Sequence, residues 1–278
     1  MPAPLRHALN ACASGAIPAN VALMHVLACC GSADQARDAA ESYLDTLRTA
    51  GDDDGAERVA RLLALDRGHP GAHQVVQRVL GTIDHTARAA PPGETIARCA
   101  AAFDRAGETA PEAAVALYAF GDPGLLAAAT EEIVALLRAW DLLGPDCDLL
   151  DIGCGTGRMV RAVAPHVRYV VGTDISASML SHARQSCRRL GNTAVVRSTG
   201  LDLGAFRDET FDTVCAVDVF PYIVQAGSDL AARHISEAAR VLRPGGALVI
   251  MNYSYRGDAA ADAVDLARLA ADAGFGVV

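Results

Sequence analysis

Apolar residues recur at helical spacing through the first third of the chain, and polar or glycine-rich stretches interrupt them. The pattern predicts helices near residues 4–14, 18–30, 33–50, 56–66 and 72–88, with Ser32 and Asp54 as N-terminal caps. We therefore expect an all-helical accessory domain over residues 1–92, followed by a hinge at Pro91-Pro92-Gly93. We expect this domain to be a packed scaffold without chemistry, and a partner-binding or dimerising role stays open.

After residue 93, short apolar runs alternate with helical segments. Helices are expected near residues 96–104, 111–120, 124–140, 158–164, 176–184, 229–242 and 260–273. Strands are expected at residues 149–152, 169–174, 194–199, 211–217 and 247–251, and residues 274–278 begin a sixth. Strands that alternate with helices predict an α/β fold with a parallel sheet.

The stretch from Leu149 to Val160 combines a buried strand, three glycines at alternate positions and the start of a helix. Such a loop presents backbone N–H groups to a nucleotide-like ligand. Arg158 occupies the position of the third glycine in a dinucleotide fingerprint, which disfavours close packing over a pyrophosphate. The next strand ends in Asp174, whose carboxylate can accept hydrogen bonds from both hydroxyls of a ribose.

Two of these stretches, D-x-G-C-G-T-G-R at residues 151–158 and V-V-G-T-D-I-S at residues 170–176, resemble motifs I and II of the class I S-adenosylmethionine-dependent methyltransferases. Residues 209–214 resemble the approach to that family's fourth strand, and residues 240–246 the turn before its fifth. The resemblance runs from about Ile96 to the end and implies a Rossmann-like, doubly wound, mostly parallel sheet with helices on both faces, in a methyltransferase domain over residues 93–278. The family's sheet normally continues past the sixth strand, so the C-terminal strands are expected to be incomplete, with an edge of the fifth strand open to a neighbouring chain.

The resemblance also implies S-adenosylmethionine as cofactor and S-adenosylhomocysteine as product. It assigns Asp151 and the glycine loop to the methionine part and its amine, Asp174 to the ribose, and Ile175, Leu201 and Asp202 to the adenine. Asp202 lies one position later than the acid that the family usually has there. The full set of expected cofactor residues is Asp151, Gly153, Cys154, Gly155, Thr156, Gly157, Asp174, Ile175, Met179, Leu201, Asp202 and Asp218.

Ligands of open α/β sheets bind at the carboxyl ends of the strands, which makes Asp218 and Tyr222 the candidate catalytic residues. An Asp at a strand end is equally a candidate for a helix cap or a loop anchor. Substrate candidates are Tyr253, Tyr255 and Arg256 after the fifth strand, and Tyr118 and Phe120, with Asp122, in a lid before the first. The alternatives are a local Arg256–Asp258 pair and lid residues that act only as packing anchors.

The composition limits which kinds of binding partner are expected. The chain has 278 residues, 33 acidic and 24 basic, with a net charge of −9 and no dense Lys/Arg run, so nucleic acid is not expected as a partner. Its 8 cysteines form no C-x-x-C pair, so no metal site is predicted. The apolar run at residues 21–30 is too short to span a bilayer, and we expect a cytoplasmic protein without a membrane partner. A homodimer stays open.

The sequence therefore predicts an S-adenosylmethionine-dependent methyltransferase that acts on an O, N or C nucleophile of a small-molecule acceptor. Two alternatives stay open. One is an NAD(P)-dependent oxidoreductase, which shares the strand, the glycine loop and the ribose acid. The other is a non-catalytic, methyltransferase-like scaffold that binds the cofactor without turnover.

Overall fold

The computed structural model describes residues 1–83 and 90–277. The chain forms two compact units, one of residues 1–82 with 112–126 and one of residues 83–111 with 127–278. This division differs from the predicted single boundary at residue 92, since residues 112–126 belong to the first unit. The apolar side chains of Leu117, Phe120 and Leu125 pack in that unit's helical core, and this long-range packing leaves no mark in the local sequence pattern.

The first unit contains the five helices that the apolar pattern predicts. They are α1 (Ala3–Ala13), α2 (Ala19–Cys29), α3 (Ala33–Ala50), α4 (Asp53–Gly68) and α5 (Ala72–Thr82). Residues 84–88 of the last predicted helix lie outside the described residues. Ser32 caps α3 as predicted, whereas the cap of α4 is Asp52 and not Asp54, because the Gly55 N–H donates to Asp52 Oδ1 at 2.9 Å.

The segment that leads to the sheet is helical. It forms α6 (Pro92–Thr109), α7 (Pro111–Val115), a 3₁₀ turn (Leu117–Ala119) and α8 (Pro123–Ala139). The predicted hinge is the first turn of α6, where Pro91 is the N-cap and Pro92 lies at a position whose N–H needs no partner. The helix is therefore longer at both ends than the expected residues 96–104.

The second unit is built on five strands. They are β1 (Asp148–Ile152), β2 (Tyr169–Asp174), β3 (Thr193–Arg197), β4 (Phe211–Val217) and β5 (Leu242–Met251). The helices that alternate with them are α9 (Arg158–Val163), α10 (Ala177–Cys187), α11 (Phe220–Ala226), α12 (Ser228–Val241) and α13 (Ala259–Asp272), with a 3₁₀ turn at Ala164–His166. All strands are parallel in the order β3-β2-β1-β4-β5, which is the predicted Rossmann-like sheet with helices on both sides.

Register places the predicted loops at one edge of this sheet. Leu149 of β1 pairs with Val170 of β2 and with Thr213 of β4, so these strands end side by side. The chain runs outward in both directions from β1, and the carboxyl ends at such a switch of strand order are the usual ligand position in this class of fold.

The sixth strand predicted at residues 274–278 is not formed within the described part of the chain, which ends at residue 277. Gly274 has a left-handed φ of 83°, and the Phe275 N–H donates to the Ala270 carbonyl at 2.9 Å. These residues therefore close the C-terminus of α13 instead of extending the sheet. No helix within residues 1–83 and 90–277 has the length and hydropathy of a membrane span.

Candidate functional site

The glycine loop lies between β1 and α9, tightly packed against its neighbours. Gly153, Gly155 and Gly157 have φ values of 71°, 53° and 78°. A Cβ on Gly153 would lie 2.4 Å from Cγ2 of Val219, so a larger residue fits there neither in space nor in backbone conformation. Tertiary packing thus restricts position 153 to glycine.

Gly172 of β2, which sequence analysis did not single out, lets this strand approach the loop. A Cβ on Gly172 would lie 2.7 Å from Cγ2 of Val160 and 2.8 Å from Cβ of Cys154. The Cys154 N–H donates to the Thr173 carbonyl at 2.8 Å, which ties the loop to β2. The loop and the end of β2 therefore form one continuous wall.

Asp151, the last polar residue of β1, is the most unusual ionisable group in this region. Its side chain is only 2% exposed, and its Oδ2 atom has no hydrogen-bond partner. Burial raises the pKa of Asp151 to about 7, while the positive charge of Arg158 acts against this shift and the carboxylate of Asp174 adds to it. A buried carboxylate oxygen without a donor is suited to a cationic ligand group.

Asp174 lies at the end of β2, directly beside the loop. Its Oδ2 accepts a hydrogen bond from the Gly155 N–H at 2.9 Å, and its Oδ1 accepts one from the Ser176 N–H at 2.8 Å. Burial raises the pKa of Asp174. Its carboxylate is thus held in a fixed orientation at the point where the sequence predicts the ribose.

A cavity of about 480 Å³ opens between α6 and the ends of β2 and β3. Its walls come from Gly93, Ile96, Ala97 and Ala100 of α6 and from Ile175, Arg197, Ser198, Thr199 and Leu201. The structure brings Ile175 and Leu201 together here, as the adenine assignment requires. Asp202 is not among the lining residues, since its Oδ1 accepts from the Gly204 N–H at 3.1 Å in a local turn.

An interaction that sequence analysis missed fixes α6 over this cavity. Asp104 Oδ1 accepts from Ser176 Oγ at 2.6 Å and from the Ser178 N–H at 3.0 Å. Gly107 allows a close approach, because a Cβ there would lie 2.5 Å from Ser178 Oγ. The N-terminus of α10 is therefore joined to α6 as well as being capped by Ser176.

The remaining residues expected around the cofactor have structural contacts. Met179 is buried in the first turn of α10, and its N–H donates to Ser176 Oγ at 3.1 Å. The Thr156 carbonyl accepts from Ser186 Oγ at 2.9 Å. Their assignment to the cofactor stays a prediction.

Asp218 follows β4 and lies in a charged network. Its Oδ2 is 3.2 Å from Nη2 of Arg158, and its Oδ1 accepts from Nδ2 of Asn252 at 3.3 Å. The Arg158 guanidinium is buried and also donates to Thr130 Oγ1 at 3.4 Å. Both Asp218 and Asn252 have a left-handed backbone, with φ values of 59° and 66°. This geometry fits a role of Asp218 as a loop anchor better than a role as a general base.

Several aromatic residues lie in the segments that follow β4 and β5. The Phe103 and Tyr222 rings meet edge to face at a centroid distance of 5.1 Å, as do those of Tyr222 and Tyr255 at 5.6 Å. The Tyr222 and Tyr255 hydroxyl oxygens are 3.4 Å apart, and burial raises the pKa of Tyr222. Tyr253 stacks at 6.0 Å on the buried Phe220.

The structure pairs Arg256 with two acids other than the predicted Asp258, and its role toward a substrate stays a prediction. Its guanidinium contacts Asp262 at 2.6 Å and Asp265 at 2.7 Å, both on α13. The predicted partner Asp258 instead caps α13 through the Ala261 N–H at 2.9 Å. Asp258 is unsuited to Arg256 because a helix N-terminus already engages its carboxylate.

The lid candidates belong to the first unit. Phe120 is buried with a φ of 53°, and Asp122 accepts from the Leu125 N–H at 2.8 Å and lies 3.6 Å from His69. Tyr118 is half-buried against neighbouring apolar residues. These contacts show packing and capping, and a role of Tyr118 and Phe120 toward substrate stays a prediction.

Comparison with known proteins agrees with this geometry. Residues 150–250 match the family model described as a methyltransferase domain. A demethylmenaquinone methyltransferase of Tropheryma whipplei is 39% identical over 108 residues, which are 39% of this chain and 42% of that protein. A phosphatidylethanolamine N-methyltransferase of Cereibacter sphaeroides is 36% identical over 110 residues, which are 39% of this chain and 51% of that protein. The chain thus spans about half, or less, of the length of these relatives.

A likeness in fold extends to solved structures. Phosphoethanolamine N-methyltransferase 1 of Haemonchus contortus, in complex with phosphoethanolamine and S-adenosylhomocysteine, superposes with a TM-score of 0.50 at 18% identity. The superposition covers 58% of this chain and 32% of that one. Residues 150–250 thus match a methyltransferase domain and contain most of the parallel sheet and the glycine loop that the sequence resemblance predicts.

Proposed function

We propose that the protein transfers a methyl group from S-adenosylmethionine to a small-molecule acceptor. The observation that carries this proposal is the buried Oδ2 of Asp151, which lies without a hydrogen-bond partner beside the glycine loop. Such an atom costs stability unless a ligand satisfies it. The positively charged amine of S-adenosylmethionine can supply the hydrogen-bond donor that this oxygen lacks.

The residues present fit this cofactor along its length. Asp151 and the glycine loop would hold its methionine part, Asp174 its ribose, and the cavity wall at Ile175 and Leu201 its adenine. When bound, S-adenosylmethionine supplies a methyl group that is already activated on a positively charged sulfur. The protein's own residues then serve to align the acceptor and to exclude water.

Charge and relatives both favour a small acceptor. The net charge of −9 opposes a polyanionic substrate such as nucleic acid. The names of the two relatives specify demethylmenaquinone and phosphatidylethanolamine, neither of them a nucleic acid. The spacing of the loop glycines and the family match both go against the alternative of an NAD(P)-dependent oxidoreductase.

Calorimetric titration tests the cofactor assignment. We expect the protein to bind S-adenosylmethionine and S-adenosylhomocysteine but not NAD. The D174A variant should bind S-adenosylmethionine about ten to a hundred times more weakly, since it loses two hydrogen bonds to a charged group. D146A is the matched control, because Asp146 is exposed ahead of β1, away from the carboxyl ends.

Transfer is measured separately, with labelled cofactor and a panel of small acceptors. Binding of NAD in place of S-adenosylmethionine would contradict the proposal. Binding without transfer to any acceptor favours the scaffold alternative. Equal affinities of D174A and D146A contradict the role assigned to Asp174.

A further inference from the structure

Ser176, which follows β2, lies between two carboxylates. Its backbone N–H donates to Asp174 Oδ1 at 2.8 Å, and its hydroxyl donates to Asp104 Oδ1 at 2.6 Å. The same hydroxyl oxygen accepts from the Met179 N–H at 3.1 Å, and the whole residue is buried. A serine hydroxyl has one proton to donate and an ionised carboxylate can only accept, so this proton points to Asp104. Ser176 therefore connects the carboxylate assigned to the ribose with a carboxylate of α6.

This series of hydrogen bonds continues to the glycine loop. The Gly155 N–H donates to Asp174 Oδ2 at 2.9 Å, so the series runs from the loop through Asp174 and Ser176 to Asp104. Each bond has a carboxylate as its acceptor, and such bonds are stronger than those between neutral groups. The position of α6 and the orientation of Asp174 are therefore linked.

Asp104 is also fixed by the N-terminus of α10. Its Oδ1 accepts from the Ser178 N–H at 3.0 Å, and a negative charge is favourable at this end of a helix. Burial acts to raise the pKa of Asp104, but the hydrogen bonds from Ser176 and Ser178 outweigh burial and lower this pKa. The carboxylate is therefore charged at neutral pH.

The face of α6 that carries Asp104 also forms one wall of the cavity. Gly93, Ile96, Ala97 and Ala100 line the cavity and recur at helical spacing, and Asp104 lies one turn beyond Ala100. Asp104 itself is not among the lining residues. It can therefore act on a ligand in the cavity only through α6 and through Ser176.

The opposite wall begins next to Ser176. Ile175 lines the cavity and lies between Asp174 and Ser176 in the sequence. A Cβ on Gly200 would lie 2.8 Å from Cγ2 of Ile175 and 3.0 Å from Cγ2 of Ile96, so the two walls pack against the same glycine. Three consecutive residues thus provide the carboxylate assigned to the ribose, part of the cavity wall and the bond to α6.

We propose that Asp104 is a positioning residue for the adenosyl group of the cofactor: its bonds to Ser176 and Ser178 keep α6 in place as a wall of the cavity, and cofactor affinity depends on them. This inference rests on the proposed function and adds to the same site a residue that lies outside the motifs. It follows from the series of hydrogen bonds and from the shared face of α6.

The size of the effect follows from the population of molecules whose wall is in place. Without the Asp104 carboxylate, α6 also takes other positions, and the ligand binds only where the wall is correctly placed. The apparent Kd rises by the inverse of that fraction, so a wall in place about one tenth of the time raises it about tenfold.

Other contacts of α6 remain when this carboxylate is removed. Nε2 of His182 lies 2.8 Å from the Gly107 carbonyl oxygen, and the Phe103 ring meets that of Tyr222 at 5.1 Å. We therefore expect D104A to fold with a lowered melting temperature.

Calorimetric titration of the full chain with S-adenosylhomocysteine tests the inference. D104A should raise the Kd about tenfold. D104N retains an oxygen that accepts from the Ser176 hydroxyl and should restore the Kd to within about threefold of the wild-type value. E108A is the matched control, since Glu108 is an exposed acid one turn later on α6, and its Kd should not change.

A second control separates positioning from a loss of stability. Asp148 lies at the amino end of β1, where it accepts hydrogen bonds from Arg168 and Arg243. D148N should lower the melting temperature, as D104A does, but leave the Kd unchanged when titrated well below that temperature. A purely structural role of Asp104 would give D104A the same unchanged Kd.

A larger side chain tests the wall itself, independently of Asp104. A100L directs a larger group into the cavity, because Ala100 lines it, and should raise the Kd at least about tenfold. A101L, at an exposed position of the same helix, should leave the Kd unchanged.

An equal Kd in D104A and E108A would overturn the inference, as would an equal Kd in A100L and A101L. A D104N variant that binds no better than D104A would contradict the hydrogen-bonded link to Ser176. If the wild type does not bind S-adenosylhomocysteine, the proposed function fails. If the wild type binds it and D104A binds it equally well, this inference alone fails.

Discussion

Replacing Asp151 with asparagine is expected to stabilise the protein without cofactor and to weaken cofactor binding. The carboxyl group is buried, and its pKa is raised from the ordinary 3.8 to about 7 because burial disfavours its charged form. Asparagine has nearly the same shape and cannot ionise. The variant therefore removes the buried charge and retains the packing.

The size of the effect follows from proton linkage. Between pH 3.8 and about 7, only the folded protein holds this proton, so the free energy of unfolding falls as pH rises. The difference of about three pH units between the two pKa values corresponds to about 4 kcal/mol of unfolding free energy, and the wild type has lost all of it above pH 7. A poorly satisfied amide in D151N costs about 1–3 kcal/mol, which leaves a net gain of about 1–3 kcal/mol at pH 8.

The assay is thermal unfolding from pH 5 to pH 8.5, with and without S-adenosylmethionine. At pH 8 without cofactor, D151N should melt at least about 2 °C above the wild type. The difference should shrink and reverse toward pH 5, where the wild-type carboxyl is protonated. With cofactor, the wild type should gain stability and D151N should gain much less, since its side chain has no charge for the amine.

A matched control lies on the same strand. Asp148 accepts hydrogen bonds from Arg168 and Arg243, and these bonds, that from Arg168 above all, lower its pKa. Its contribution to stability is present above the ordinary pKa of a carboxyl and is lost as pH falls through the lowered value. D148N should therefore melt below the wild type at pH 8. A D151N variant that behaves like D148N would refute the argument.

Two further substitutions test the loop and the charged network. G153A should unfold at lower temperature and lose cofactor affinity, because its Cβ would lie 2.4 Å from a valine side chain at a φ of 71°. G191A, where no atom lies within 4 Å of the added Cβ, should change neither. R158M should lower the free energy of unfolding by about 3–5 kcal/mol, since it leaves Asp218 charged in a partly buried site. R161M, on the exposed side of the same helix, should lower the free energy of unfolding only slightly. Urea unfolding measures both variants. An equal loss of unfolding free energy in R158M and R161M would contradict a specific role for the buried pair.

The sheet was largely predictable because its strands are short apolar runs with polar ends. Tyr169–Asp174 and Phe211–Val217 have the predicted bounds. The fifth strand begins earlier than predicted, at Leu242, because Leu242 already pairs with Phe211 of β4. The Arg-Pro-Gly-Gly segment that follows lies at a register shift, with Gly245 at a left-handed φ of 84°. An edge strand tolerates this proline, because its N–H is not needed for a second neighbour.

The ligand site was predictable only where chemistry lies within one motif. Asp151 and Asp174 are recognisable because they lie at the carboxyl ends of β1 and β2, and the loop glycines because they directly follow β1; the role of these residues toward a cofactor stays a prediction. Asp104 was not recognisable, because its hydrogen-bond partner Ser176 lies 72 residues later in the chain and Asp104 itself occupies an ordinary position on a helix. Nothing in the sequence distinguishes Gly172 from another small residue in a strand, because the need for glycine comes from the packing of Cys154 against it.

Arg158 interacts with two carboxylates at the ends of neighbouring strands. Its guanidinium interacts electrostatically with Asp151 and donates a hydrogen bond to Asp218 at 3.2 Å, while Oδ2 of Asp151 has no hydrogen-bond partner. The left-handed backbone of Asp218 and Asn252, with φ values of 59° and 66°, places the competing carboxylate and its amide donor where they hold the arginine. The left-handed backbone at the ends of β4 and β5 thus belongs to the network that holds the Arg158–Asp218 pair.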